Sequence, residues 1–383
     1  MDGDEAANHC TSICKISLKI IGIWPDEKSE GFLTFCRVVI IFICITFFII
    51  LSQTMKLIMI WGDIEIMSEI LCKVELPSII ILLMIYVIQK NKSELQPIVA
   101  SINEDWNNSK SKEERMIMLK MSYSARKISL ICLLLSQGTF NFHTAGEIYY
   151  NIIDKSNIFN DNYTRRLYIL SHFPYETNFT PIFEITWFTQ CLTTFLATVT
   201  YAGVHGFFGI LIIHLCGQFA VLKYRLINVV DEIVSGNCKK QFQDEFAIIV
   251  KRHQQLNRFV VIIEDTFNML LLVEILISTI EFCLQAFQLS LIIGKSKAEF
   301  PLIPLAVMII YIAYMLAVFY VYCSVGEQLK HHSSEMAYAV YSCKWYYLQS
   351  SDGKNLLFLM QRAQKPCFLT AGKFFSISLE TFN

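Results

Sequence analysis

Thirty-eight consecutive residues, Ile185 to Leu222, carry no formal charge, and that run limits what this chain can become more than any other feature does. As one helix it would measure roughly 57 Å, near twice the roughly 30 Å hydrocarbon core of a bilayer. As two spans it would need a turn, and the candidate is Gly203-Val204-His205-Gly206-Phe207-Phe208-Gly209. Glycines at every third residue suit close helix packing as well as a break. In either form the solvent is lipid: 54% of the 383 residues are hydrophobic and 17% charged, far more apolar than a soluble domain.

The other spans decide between the two readings. Uncharged or nearly uncharged helical stretches lie at about 38–61, 66–89, 128–146, 266–294 and 300–326, and a last apolar stretch of 18 residues starts at Pro366. With one long fourth helix there are seven spans and the N-terminus lies inside. The inner segments, 1–37, 89–127, 223–258 and 327–365, then hold 24 Lys and Arg against 7 outside, a strong positive-inside bias. Splitting the run would move the seven basic residues of 223–258 outside. The reading is therefore an all-α membrane protein of seven transmembrane helices with a cytoplasmic N-terminus. Its fourth helix projects several turns into the cytoplasm, which would explain the polar residues His205, His214 and Gln218 near its end.

By segment, residues 1–37 are a cytoplasmic leader and 38–326 a six-span bundle. Residues 327–365 form a charged cytoplasmic helical segment, and 366–383 an incomplete seventh helix. In the leader, Ile13, Ile16, Ile20 and Ile23 recur at helical spacing, so an amphipathic helix on the membrane surface is expected, ended by Trp24-Pro25. The acidic first residues lack a basic n-region, so insertion is expected to begin with the first span. The 13 cysteines are scattered and read as small buried hydrophobes rather than as a disulfide framework.

Polar groups inside spans are candidates for function. Lys73 and Glu75 fall in the second span, where interfacial snorkelling accounts for them. Phe140, His143 and Glu147 share one face of the third. Glu274 and Glu281 share a face of the fifth, placed either to line a cation path or to meet donors on neighbouring helices. The outer loop from Tyr149 to Pro181 holds two glycosylation sequons, at Asn162 and Asn178. His331-His332 has no partner at metal-ligand spacing, and neither metal nor cofactor is expected. Hydrolase elbows, zinc-protease motifs, phosphate loops and dinucleotide fingerprints are all missing from the sequence, which argues against an enzyme. No basic stripe with interleaved aromatics suggests nucleic acid. The Asp-Arg-Tyr and Asn-Pro-x-x-Tyr hallmarks of G-protein-coupled receptors are absent, and the charge bias is opposite to theirs.

The end of the chain is more specific. Ala339-Val340-Tyr341-Ser342-Cys343-Lys344-Trp345-Tyr346, then Arg362-Ala363-Gln364-Lys365-Pro366, then Leu369-Thr370-Ala371-Gly372-Lys373-Phe374-Phe375-Ser376 resemble the C-terminal signature of insect odorant receptors. Trp24-Pro25 and His214-Leu215-Cys216-Gly217-Gln218-Phe219 add looser support. The resemblance implies a ligand-specific subunit of a tetrameric, ligand-gated cation channel in the plasma membrane. It would be assembled with an odorant receptor co-receptor and would bind a small hydrophobic odorant. The co-receptor's large insertion between spans four and five has no room in 223–258. The family pattern also implies an anchor region between subunits at 206–258 and 327–365, and an apolar odorant pocket whose candidates are Phe140, His143, Trp187, Cys191 and Tyr311. It implies a pore lined by the seventh helix, with Phe375, Ser378, Leu379 and Phe382 at i, i+3, i+4, i+7 spacing. The alternative class is a gustatory-type channel or a seven-span receptor coupled to a soluble transducer.

Overall fold

The computed structural model describes residues 3–25, 31–108, 111–156, 165–235, 240–294 and 302–382. Helix α1 is Gly3–Ile21, followed by α2, Phe32–Met59, and α3, Ile64–Lys90. Helix α4 is Lys92–Asn107, and the four longest are α5, Lys112–Ser156, α6, Ile182–Val234, α7, Lys240–Gly294, and α8, Leu302–Ser342. Beyond them come α9, Ser350–Ala363, a hairpin of β1, Thr370–Ala371, and β2, Phe375–Ser376, and one helical turn, α10, Leu379–Phe382. Among the described residues, α2, α3, α6 and α8 are long and apolar enough to cross a membrane by length and composition.

Helix α6 runs 53 residues, roughly 80 Å, without interruption. It is the central post, packing on α5, α8, α1 and α7, and every residue from Ala202 to Ile213 is buried. A helix apolar on all sides belongs in such a position. The glycine series at 203, 206 and 209 is therefore a groove and not a break. A Cβ on Gly203 would stand 2.9 Å from Leu18 Cδ2, and one on Gly209 would stand 3.0 Å from Ile128 Cγ2. On Gly206 it would approach Cys14 Sγ to 2.5 Å, closer than atoms of that size can pack.

What fills the groove is α1, and this corrects the surface-lying helix expected from the leader. Cys14, Leu18 and Ile21 face α6 and are buried, whereas Ile16 and Ile20 are 61% and 49% exposed. The isoleucine spacing describes a helix but misplaces its inner face, which is set by the small residues opposite. Trp24 closes the contact with its ring centroid 5.4 Å from that of Phe207.

Proline inside α3 is accommodated by a wide turn. Residues Leu71–Glu75 form a π-helical stretch just before Pro77, the kind of bulge that absorbs a missing N–H and a crowded carbonyl. Glu75, buried at that bulge, accepts a hydrogen bond from Thr54 at 2.8 Å, and Lys73 pairs with Glu69 at 2.5 Å.

The inner ends of the helices are tied by charge. Asp105 on α4 meets Arg252 on α7 at 2.5 Å and His214 on α6 at 2.9 Å, and Arg252 also donates to Gln218 at 3.1 Å. Arg225 forks onto Glu114 at 2.6 and 2.8 Å, and Lys223 reaches Glu335 at 3.1 Å. Burial would raise the Asp105 carboxyl, but hydrogen bonds and charge from His214 and Arg252 outweigh it and hold it below its usual value. His214 and Gln218 are thus polar because they belong to this network. His205 is not cytoplasmic, contrary to the sequence expectation. It is buried in the bundle with Nδ1 2.5 Å from the Tyr322 hydroxyl and Nε2 3.5 Å from Glu274.

Nearby, His253 on the cytoplasmic part of α7 is buried beside Phe219. Burial, helped by the charge of Arg362, lowers its pKa from 6.5 to about 4. An unfolded chain therefore takes up a proton that the folded one refuses, and stability falls as pH drops from about 6.5 toward 4. At about pH 5 the loss should be about 2 kcal/mol. A His253→Gln variant should flatten the curve of thermal midpoint against pH over that window, and an unchanged curve would refute the assignment.

The C-terminal segment departs from the helix expected to start at Pro366. Residues 366–378 are extended and turn through Gly372 and Lys373, both at positive φ. Partners on α7 and α8 capture its backbone: Thr370 N–H donates to Glu264 at 2.9 Å, Gly372 N–H to the Asn268 carbonyl at 2.8 Å, and Cys367 N–H to Ser333 at 3.0 Å. The Thr370 hydroxyl donates to Glu264 as well. Helix begins only at Leu379, so the four pore candidates do not share one helical face. Phe375 lies in β2, Ser378 is buried, and the Phe382 ring packs on Phe319 and Tyr320.

Candidate functional site

Between α3, α5, α6, α7 and α8 lies a cavity of about 320 Å³. Its walls are mostly apolar: Ile49, Ile81, Phe140, Ala197, Met308 and Met315 are among them. A large apolar cavity with a few convergent polar groups is the usual form of a small-molecule site.

Each helix contributes for a local reason. The i, i+3 spacing on α5 brings Phe140 and His143 to the same wall, with Glu147 one turn on, 3.9 Å from His143. On α8, Tyr311 and Tyr314 project inward on adjacent turns. Tyr201 of α6 lines the floor and donates its hydroxyl to Glu274 at 3.2 Å. Glu274 also accepts from Tyr322 at 3.0 Å. Its carboxylate is thus held by donors from α6 and α8, as a buried carboxylate in lipid must be.

Of the five pocket candidates from the sequence, Phe140, His143 and Tyr311 line the cavity. Trp187 and Cys191 are not among its walls. Trp187 sits behind Tyr168, ring centroids 5.4 Å apart. Tyr168 is a wall residue that sequence reasoning missed. It belongs to the outer loop, which folds back so that the Tyr168 and Thr144 hydroxyls lie 2.9 Å apart, and Ile169 N–H donates to Gln190 at 3.3 Å. The charged rim also includes Glu65 and Glu69, which sequence reasoning missed, beside Lys73 and Glu147, which it had singled out. Asn178 is exposed on the outer loop, while Asn162 lies outside the described residues. No group of three or more metal-binding side chains occurs among the described residues.

A long-helix bundle of this kind, charged at its inner end and holding a mostly apolar cavity, is that of a multi-span helical membrane protein. A sequence model described as 7tm Odorant receptor matches residues 76–383, and the chain belongs to that family. It is 33% identical to the odorant receptor coreceptor of Drosophila melanogaster over 133 residues, covering 35% of this chain and 26% of that protein. It is 26% identical to odorant receptor 13a of the same species over 233 residues, covering 55% of this chain and 53% of the relative. The chain thus spans between about a quarter and about half the length of these curated relatives. In fold it superposes on the insect olfactory receptor OR5 of Machilis hrabei in complex with eugenol. The TM-score is 0.82 at 14% identity, over 100% of this chain and 95% of the other. Family membership places it among receptors and not enzymes.

Proposed function

We propose that this chain is the ligand-specific subunit of an odorant-gated cation channel in the plasma membrane, holding a small hydrophobic volatile in the cavity between α3, α5, α6, α7 and α8. The observation that carries the reading is the cavity itself: buried, apolar, and walled by Phe140, His143 and Tyr311 from two different helices. The eugenol-bound relative supports it by fold. The co-receptor is the proposed partner subunit in a hetero-tetramer. This chain has only residues 235–239 between α6 and α7, so it carries no insertion there and is read as the ligand-specific partner. Asn178, exposed on the outer loop, is the proposed glycan acceptor.

Ligand opens a pore only by binding the open state more tightly than the closed one. The test is co-expression with an odorant receptor co-receptor and recording from excised patches free of nucleotides, against a panel of neutral volatiles. A cation current is expected only when both chains are present. Phe140→Ala should shift the half-maximal concentration by tenfold or more while leaving surface expression unchanged. A response from this chain alone that vanishes in excised patches and returns with a guanine nucleotide would overturn the channel reading and favour a transducer-coupled receptor.

A further inference from the structure

The pocket candidates from the sequence lie on α5, α6 and α8, yet α7 supplies one of the polar walls. Five polar side chains that are more than nine-tenths buried line the cavity: Ser78, Ser136, Tyr168, Gln285 and Tyr314. Two are committed, since Ser136 donates to the Thr198 carbonyl at 2.9 Å and Tyr168 bonds with Thr144. The Tyr314 oxygen is itself sealed from the cavity surface, beside Ser136. Ser78 has a hydroxyl on α3, a small group at the apolar end of the wall formed by Val74, Pro77 and Ile81.

Gln285 differs from these in position and in chemistry. It is 4% exposed, makes no hydrogen bond among the described residues, and lines the cavity. Its neighbours on the same face of α7 differ from it. One turn before it, Glu281 is buried beside Tyr311 but does not line the cavity. Three residues after it, Gln288 donates to the Glu65 carbonyl at 2.9 Å and to Ser68 at 2.6 Å. Burying a primary amide without a partner is costly. A ligand oxygen that accepts from its NH₂, or a hydroxyl that also donates to its carbonyl, would remove that cost.

Charge at the rim narrows the class. Among the described lining residues, Glu65, Glu69 and Glu147 stand there with Lys73, and Lys73 is already paired with Glu69. An anionic ligand would meet like charge on entry, whereas a neutral one would not.

We propose that Gln285 is a specificity-determining residue of the cavity, orienting a neutral oxygenated molecule, an alcohol or carbonyl compound, by its oxygen while the alkyl part lies against the apolar walls. The inference rests on the cavity being a small-molecule site, and it adds the head group that site prefers. A site built around a buried amide discriminates against ligands that leave it unpaired.

The test uses the full chain in lipid nanodiscs, with thermal stabilisation as the readout of binding. The probes are 1-octanol, 2-octanone, 1-octene and octanoate at neutral pH. Octanol and octanone should bind the wild type at least fivefold more tightly than octene, and octanoate most weakly. Gln285→Met, close in volume, should weaken octanol and octanone by about five- to tenfold, the worth of one hydrogen bond, and change octene less than twofold. Gln285→Glu serves where the methionine variant does not reach the wild-type thermal midpoint without ligand. It should weaken octanone more than octanol if its carboxylate keeps only an acceptor. Equal changes for all probes in either variant, or no change with binding retained, would overturn the role of Gln285 and leave the cavity reading standing. Absence of stabilisation of the wild type by any probe would overturn the cavity reading, and this inference with it.

Discussion

Gly326→Ala should release the C-terminal segment from the bundle. Gly326 lies on α8 directly under the hairpin, and a Cβ built there stands 2.3 Å from the Ile377 carbonyl oxygen. The obstacle is backbone, so no rotamer change relieves it. Residues 369–377 would have to lift, and with them go the bonds from Thr370 to Glu264 and from Gly372 to Asn268. Overpacking typically costs about 1–3 kcal/mol, and the hydrogen bonds lost with it raise the expected total to about 3–5 kcal/mol. The measurement is limited trypsin digestion of the protein in nanodiscs. Cleavage after Lys365 and Lys373 should accelerate at least tenfold in the variant while cleavage elsewhere keeps its rate. Equal rates at those two sites would mean that the segment is not held by this contact.

Asp105→Ala is the second large effect. The carboxylate bridges Arg252 and His214 from two different long helices, and its side chain is only 12% exposed. Removing it leaves a largely buried guanidinium without its counter-charge, for which a loss of about 3–5 kcal/mol is expected. A stability of 5–15 kcal/mol is typical of whole domains, so the variant should show a sharply lower thermal midpoint. Asp105→Asn, which keeps acceptor geometry and loses charge, should fall between the two. The pH dependence has a definite sign. The folded carboxyl titrates below 3.8, so its contribution is complete above about pH 4 and fades as pH drops through the lower folded value. A midpoint within a degree of wild type for Asp105→Ala would show that the ion pair contributes nothing net.

Periodicity and charge made the bundle legible. The uncharged run from Ile185 already marked most of the central helix, and counting Lys and Arg chose one helix over two. Sequence could not tell which face of α1 turns inward, because the deciding features, Gly203 and Gly206, lie far along the chain. It could not see that residues 366–378 are extended either. Their apolar pattern suits a helix, but the turn at Gly372 and Lys373 and the carboxylate of Glu264 hold them otherwise. At the candidate site, Phe140, His143 and Tyr311 were named from the family resemblance, the first two also from a shared helical face. Trp187 and Cys191 rested on the same resemblance, yet Tyr168 from a loop of no regular pattern stands in front of Trp187. Gln285 carried no signal, since a glutamine in a span reads as neutral until the cavity beside it is seen.

The seat of α1 also sets an order of events during synthesis. The helix leaves the ribosome well before its groove, which is cut by Gly203 and Gly206: Leu18 precedes Gly203 by 185 residues. At 5–20 residues per second the gap is roughly ten to forty seconds. Throughout that interval the side of α1 that meets the glycines has no native partner and is open to lipid, to chaperones or to other nascent chains. A segment made early is seated late, and the yield of folded protein should depend on how well the cell shelters that side while it waits.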